Sequence, residues 1–313
     1  MSRFRSFLVL FWTISALFWS GCGLGKPLIE KPRHLAAGDR EIVEGQRWYG
    51  RGCYKKALDH FLKAHELFTV SDQIRGKAVA LNNLGNCFRL LGDPGSAALF
   101  LAESSDLLAA GADPVEEIQA RVNLAAALAD QGKFADAQAA LDRAESLQAP
   151  AGKGDYWPLY NTRGVILLKQ EKPAEARQAL DRALAATGWP AGSRAAAHHS
   201  MGTLLLATGA PGEAAGHFAR ALEMDRETGY SPGIADDLSG LARAEKAAGN
   251  PTAAAGHFRR AAQVYGILGM DESAKKALDE LSALAPETGA DDSVTRFFLD
   301  RWERGAIREK PCD

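Results

Sequence analysis

Histidines are the residues of this 313-residue chain whose type and spacing most readily suggest chemistry. His198 and His199 are adjacent, which invites a metal-binding interpretation. Neighbouring residues on a helix point about 100° apart, however, and no histidine or carboxylate lies three or four residues from either one. His217 and His257 occupy matching positions of repeated segments. The repeat pattern therefore explains their presence better than a catalytic or metal-binding role does. We therefore predict no metal, no cofactor and no enzymatic role.

The four cysteines also lack a metal-binding pattern. Cys53, Cys87 and Cys312 show no Cys-x2-Cys or Cys/His spacing, and these three thiols cannot all pair with one another. Cys87 falls inside an amphipathic segment and is interpreted as a small buried apolar residue. The sequence does not decide whether the other two form a disulfide.

The segments that carry these residues repeat about every 40 residues. Six alanines recur at intervals of 38 to 40 residues. A large apolar residue follows each after four positions, a small residue follows after seven, and Gly or Ala precedes it by twelve. This spacing predicts a helix, a short turn and a second helix that meet at small residues, and such units bury their apolar faces by stacking into a solenoid. The alanines are Ala57, Ala97, Ala137, Ala176, Ala214 and Ala254.

The pattern resembles the tetratricopeptide-repeat family over residues 38–268. The spacing is longer than the standard repeat of about 34 residues, and the run Asn82-Asn83-Leu84-Gly85 is similar to the longer-repeat branch found in kinesin light chains and peptide-sensing bacterial regulators. We expect the extra residues to lengthen the second helix and its following loop. The resemblance implies an all-α, right-handed superhelical solenoid of about six repeats over residues 36–285.

Turn and capping signals fit this register. Glycine or proline lies between the paired helices, as in Gly92-Asp93-Pro94 and Gly249-Asn250-Pro251. Apolar residues in Asp271–Leu284 predict a helix that covers the end of the stack, with Pro286 closing it. The tail, residues 286–313, contains a short amphipathic helix with Val294, Phe297, Phe298 and Trp302 on one face. That face either packs on the solenoid as an extra cap or binds a partner.

The resemblance implies that the first helix of each repeat lines a concave groove. Polar residues occupy the groove positions, and in longer-repeat relatives groove asparagines hold an extended peptide, since an Asn side chain offers two donors and an acceptor. Alternatively, these asparagines hydrogen-bond across adjacent helices. The predicted peptide-binding residues are Asn82, Asn83, Asn86, Arg89, Gln119, Asn123, Asn161, His199 and Arg243.

The carboxylate-clamp version of the family is excluded by the same positions. Asn86 and Asn123 match its two asparagines. Its cationic positions are occupied here by Asn82, Pro158 and Thr162, so the charges that attract a carboxylate are missing.

The N-terminus resembles a bacterial lipoprotein signal. Arg3 and Arg5 precede an apolar segment, Phe7 to Trp19, that is shorter than the roughly 20 residues needed to span a bilayer. Ser20-Gly21-Cys22 resembles a lipobox, although Trp19 replaces the usual Leu. The resemblance implies a signal peptide at residues 1–21, lipidation of Cys22 and a tether over residues 22–35. The alternative is an ordinary cleaved signal or an uncleaved anchor with an incidental Cys22. By resemblance to enterobacterial sorting signals, Gly23 in place of Asp implies the outer membrane.

Charge excludes one class of partner. The formal net charge is −2 with a pI of about 6.4, and no basic stripe is present to bind nucleic acid.

We predict a lipid-anchored envelope adaptor that holds a peptide or protein segment. A pilotin-like assembly factor for a type IV pilus or secretin is the narrower alternative. A cell-wall hydrolase would need a catalytic cluster that the sequence does not contain.

Overall fold

The computed structural model describes residues 33–111, 114–149, 155–187, 194–305 and 312. The predicted signal peptide, Cys22 and most of the tether lie outside these residues, and the final tether residues from Arg33 are helical. Regular structure in the described ranges consists of fourteen α-helices. They are α1 Arg33–Gly50, α2 Tyr54–Val70, α3 Ile74–Leu90, α4 Pro94–Gly111, α5 Pro114–Asp130, α6 Phe134–Ser146, α7 Trp157–Lys169, α8 Pro173–Ala185, α9 Ala195–Ala207, α10 Pro211–Thr228, α11 Ser231–Ala247, α12 Pro251–Ile267, α13 Asp271–Thr288 and α14 Ser293–Glu303.

The helices pack as six consecutive pairs, α1 with α2 through α11 with α12, and the predicted register is confirmed. Every repeated small or large apolar position identified in the sequence is buried. At Gly45, for example, an added Cβ would lie 2.4 Å from the Phe61 ring, and at Gly85 it would lie 2.5 Å from Leu101 Cγ. The small residue of the first helix therefore admits the large residue of the second, which lets the two backbones approach closely.

The turns within repeats lie where the sequence places them. In repeat two α3 ends at Leu90 and α4 begins at Pro94, and Gly92 adopts a φ of 85° between them. In repeat four the equivalent position is Glu171, whose φ is 59°. This left-handed conformation favours glycine, so repeat four places a side chain where its neighbours have none.

The additional length of the repeat is distributed differently from our expectation. In repeat two α3 has 17 residues and α4 has 18, so both helices are long. In repeats three and four the second helices, α6 and α8, have only 13 residues. The expectation that extra residues lengthen the second helix and its following loop was therefore incomplete, because the small-residue register fixes where two helices cross and not where each ends.

The first helices form one layer of the solenoid. Each packs against the second helix of its own repeat, and successive first helices α3, α5, α7, α9 and α11 also contact one another along the array. This close spacing places them on the inner side of the curved stack, which is the side predicted to form the groove. The all-α solenoid fold class is confirmed.

The C-terminal helices extend the stack. α13 packs on α12 but continues through Pro286 to Thr288, so Pro286 does not close it as predicted; Gly289, with a φ of 68°, follows its end. α14 packs on α12, with Leu299 and Trp302 against Gly266. Val294, Phe297 and Phe298 are exposed and Trp302 is half-buried, so only one of the four predicted residues packs on the solenoid.

The first repeat also touches the far end of the array. Cys53, in the turn after α1, forms a disulfide with Cys312, 259 residues later. The hydroxyl oxygens of Tyr54 and Tyr230 are 3.4 Å apart, and an added Cβ at Gly52 would lie 2.7 Å from Pro232 Cγ. We call these three interactions the closure contact. It joins repeat one to the beginning of α11 and to Cys312.

Candidate functional site

The predicted groove residues lie on the inner helices of successive repeats. Asn82, Asn83, Asn86 and Arg89 are on α3, Gln119 and Asn123 on α5, Asn161 on α7, His199 on α9 and Arg243 on α11. Gln119 and Arg243 are exposed, and Arg243 lines a cavity of about 670 Å³ between α11 and α13. The inner face is therefore polar along its length, but its residues have different environments.

Asn82 and Asn123 form a structural tie between adjacent repeats. Asn123 Nδ2 donates to Asn82 Oδ1 at 2.9 Å, and Asn82 is buried. Asn82 was predicted to be an exposed ligand contact, and its burial contradicts that. At this pair the alternative interpretation, a hydrogen bond across neighbouring helices, is the one that the structure supports.

Three other asparagines remain partly accessible. Asn83 and Asn86 lie on α3 and Asn161 lies on α7, all half-buried on the inner layer. Asn83 Nδ2 and Asn161 Oδ1 have no hydrogen-bond partner among the described residues. Both atoms are themselves buried, so a peptide can use this hydrogen-bonding capacity only when the side-chain amides turn towards the groove.

Repeats two to four share a charged network on the inner layer. Arg89 Nη1 donates to Asp130 Oδ2 at 3.0 Å, and Lys169 Nζ donates to Asp130 Oδ1 at 2.7 Å. Burial tends to raise the pKa of Asp130, but the hydrogen bonds and charges of Lys169 and Arg89 outweigh it and lower the pKa below its ordinary value. Arg89 of repeat two is therefore paired with Asp130 of repeat three. The negative charge of Asp130 is balanced by one cation from each neighbouring repeat.

Repeats five and six contain an acidic cluster that sequence reasoning missed. Asp237 on α11 is buried, and one of its oxygens lies 2.7 Å from His199 Nδ1. Asp225, near the end of α10, is also buried. Burial, and secondarily the neighbouring Asp237, raises the pKa of Asp225 to about 7. Burial likewise raises the pKa of Asp237, against the opposing effect of His199.

The sequence did contain a signal for this cluster. Asp237 occupies the third position of its repeat when the small Gly/Ala is counted as the eighth. In repeats two to five the third position is Ala80, Ala120, Leu159 or Ala197, all fully buried. An aspartate at a position that elsewhere packs in the core should have been singled out, because a buried carboxylate requires a compensating interaction.

His198 and His217 face each other, with their Nδ1 atoms 3.1 Å apart. Burial, followed by the charge of the other ring, lowers the pKa of His198 to about 4, so the pair is neutral at pH 7. In the part of the chain that the structure describes, no group of three or more histidine, cysteine or acidic side chains is arranged to hold a metal ion.

Comparison with known proteins supports the repeat assignment. A tetratricopeptide-repeat family model matches residues 49–110 and 193–285, about half of the chain. No curated protein sequence is significantly similar to the chain.

Three solved structures illustrate the structural similarity. A Rap protein complexed with Competence and Sporulation Factor is 14% identical, with a TM-score of 0.58 over 82% of this chain and 77% of that one. The Rap conjugation gene regulator of plasmid pLS20, in complex with the Phr* peptide, is 15% identical, with a TM-score of 0.57 over 95% and 82%. Pseudomonas aeruginosa pilF is 17% identical, with a TM-score of 0.45 over 73% and 97%. At these identities the similarity concerns the fold alone. The family match and the six helix pairs show that the chain belongs to the tetratricopeptide-repeat family.

Proposed function

We propose that this chain is a lipid-anchored adaptor of the bacterial cell envelope that holds an extended peptide or protein segment along its inner helices. Arrays of this repeat are typically non-catalytic scaffolds for protein interaction. The observation that carries the peptide-binding part is the polar inner layer, on which Asn83 and Asn161 are half-buried and each has one amide atom without a hydrogen-bond partner among the described residues. An extended peptide presents one donor and one acceptor per residue, which asparagine side chains can satisfy together.

The cysteines support an exported location. Cys53 and Cys312 form a disulfide, which persists in oxidising compartments and is rare in the cytosol. Cys87 is buried, and burial raises its pKa to about 12, so this thiol is protected from disulfide exchange. Among the described helices, none is both long and apolar enough to cross a membrane. Membrane attachment in this proposal depends on the lipobox-like Ser20-Gly21-Cys22.

The two alternatives are less well supported. The pilotin-like role rests on the lipobox and on the number of repeats, and the TM-score to pilF is too low to strengthen it. A hydrolase would require a nucleophile or a water-activating group at a cavity. The acidic cluster of repeats five and six instead has one carboxylate paired with His199 and another held against Gly233.

Binding can be tested with a random library of displayed linear peptides about twelve residues long. We expect the mature domain to enrich a peptide motif, and Asn83→Ala/Asn86→Ala/Asn161→Ala to bind the enriched peptides at least tenfold more weakly while retaining its helical circular dichroism. Gln138→Ala, on the outer helix α6, is the matched control. Enriched peptides that bind the triple variant as tightly as the wild type would contradict peptide binding along the inner helices.

Anchoring is tested separately by metabolic labelling with a fatty-acid analogue in a bacterial host. The wild type should be labelled and should sediment with membranes, whereas Cys22→Ser should be unlabelled, because the thiol is the acceptor of the lipid. Equal labelling of the two proteins would refute lipidation at Cys22.

A further inference from the structure

A cavity of about 400 Å³ lies between α9, α10 and α11 in repeats five and six. Its rim is exposed and includes Ala196, Thr228 and Asp236, and its base is formed by buried residues that include Asp225 and Asp237. His199, one of the predicted groove residues, also lines it. The cavity is thus a depression in the inner surface with acidic groups at the bottom. Its volume is sufficient for one long side chain.

The charges lining this cavity do not balance. Asp225, Asp236 and Asp237 contribute three carboxylates, whereas no lysine or arginine is among its described lining residues. Tyr265 OH donates to Asp236 Oδ1 at 2.6 Å, and His199 Nδ1 contacts Asp237 Oδ1. Asp237 is 1% exposed, its Oδ2 accepts no hydrogen bond from a described N–H or O–H group, and its hydrogen bond with the carboxyl group of Asp225 requires a proton. A buried carboxylate oxygen without a donor is costly, and it is best satisfied by a positively charged donor.

The fold leaves space for the carboxylate of Asp225 at the bottom of the cavity. An added Cβ at Gly233 would lie 1.7 Å from Asp225 Oδ2. Glycine at the start of α11 therefore leaves the space that the carboxylate of α10 occupies. With Asp225 and Asp237 adjacent, a proton shared between them reduces their repulsion in the free protein, which is consistent with the raised pKa of Asp225.

We infer that this cavity, lined by Asp225, Asp236 and Asp237, is a subsite for the guanidinium or ammonium group of an arginine or lysine in the peptide held by the inner helices. The inference rests on the proposed function and adds a ligand preference to it. The bound cation would replace the shared proton and balance the charge of the carboxylates at the bottom of the cavity. A metal ion is a poor occupant, because the described residues contain no cluster arranged to ligate one.

The test uses N-acetyl-arginine amide and N-acetyl-lysine amide as cationic probes and N-acetyl-citrulline amide as the neutral analogue of the same shape. Each is titrated at pH 8 into the ¹⁵N-labelled folded domain, followed by amide chemical shifts. We expect saturable shifts at residues 196–200 and 233–237 with at least one cationic probe, and binding of citrulline at least tenfold weaker. No difference between arginine, lysine and citrulline would overturn the inference.

Two variants assign the effect to this cavity. Asp225→Asn/Asp237→Asn should weaken binding of the cationic probe at least tenfold, whereas Asp130→Asn removes the same type of charge from the inner face and should have little effect. Ala196→Trp obstructs the rim and leaves the acids in place, so it tests the location even if the double variant does not fold. Unchanged binding by folded Ala196→Trp or by the folded double variant would contradict the assignment.

The peptide library separates this inference from the proposed function. If the wild type enriches peptides without arginine or lysine, and no cationic probe binds, the subsite is wrong while groove binding stands. If a cationic probe binds the cavity but no peptide is retained, the subsite stands and the proposed function is wrong.

Discussion

Two inner-face aspartates of this solenoid have opposite environments. Asp130, in repeat three, accepts hydrogen bonds from Arg89 of repeat two and Lys169 of repeat four, and its pKa is lowered. Asp237, in repeat six, is more deeply buried, has His199 on one oxygen and Asp225 nearby, and its pKa is raised by that burial. The first carboxylate is neutralised within the fold. The second lies beside another carboxyl group and is hydrogen-bonded to it only when a proton is shared between them.

This difference indicates how a repeat protein can vary function along a constant scaffold. The small and large apolar residues that set the crossing of each helix pair are retained in all six repeats, so the backbone tolerates different polar groups between them. Where inner-face charges pair across repeats, they tie neighbouring helices together. Where they do not, they remain available to a ligand.

The largest expected contrast is in the pH dependence of stability. The pKa of Asp225 is about 7 in the folded protein, against an ordinary value of 3.8, so the native state retains a proton that the unfolded chain releases. Its contribution to stability is therefore greatest at or below pH 4 and declines as pH rises to about 7, by on the order of a few kcal/mol. Urea unfolding at pH 5 and pH 8 should show less loss of stability for Asp225→Asn than for the wild type.

Asp130 provides the control for this comparison. Its folded pKa is lowered, so its contribution is lost only as pH falls below about 4. Asp130→Asn should therefore leave the change between pH 5 and pH 8 unaltered. Buried histidines change the stability with pH in the opposite direction. Subtracting the wild-type change between pH 5 and pH 8 from that of each variant removes their contribution. Identical pH dependence of the stability in Asp225→Asn and the wild type would mean that burial does not raise the pKa of Asp225.

A smaller effect is expected from breaking the asparagine tie. Asn123→Ala leaves Asn82 Oδ1 buried without a donor, which should lower the free energy of unfolding by about 1 to 3 kcal/mol. Asn86→Ala, on the same inner layer but half-buried, should change it by about 0.5 kcal/mol or less. Chemical denaturation of both variants measures the difference. Equal stabilities would place Asn123 with the ligand-binding asparagines.

The smallest effect concerns the compensated charge. Lys169→Met removes one of the two cations on Asp130, and because the lysine is substantially exposed we expect a loss of about 0.5 kcal/mol or less. The pKa of Asp130 should rise towards its ordinary value, which carboxyl-carbon NMR titration measures. A pKa unaffected by the substitution would assign its lowering to Arg89 alone.

The sequence predicted the solenoid and its register because backbone crossing depends on residue size at fixed intervals, which a single chain displays directly. It located Asn83, Asn86 and Asn161 on the inner layer for the same reason. It misassigned Asn82, because burial of a side chain between two repeats depends on how those repeats pack. Asp237 stands at a core position of its repeat, which the sequence displays, but its pairing with Asp225 of another helix does not follow from the sequence. Their proximity, and the space left by Gly233, are properties of the assembled fold.

The closure contact changes how this array can come apart. A linear stack has two terminal repeats, each with a single neighbour, and local opening begins there. In this chain Cys53 of repeat one is bonded to Cys312, and Tyr54 adjoins Tyr230 at the beginning of α11, so the first repeat has a neighbour on both sides. Fraying of α1 and α2 then requires loss of long-range contacts as well as local ones. We therefore expect the amide hydrogens of α1 and α2 to exchange more slowly while the disulfide is intact than after its reduction.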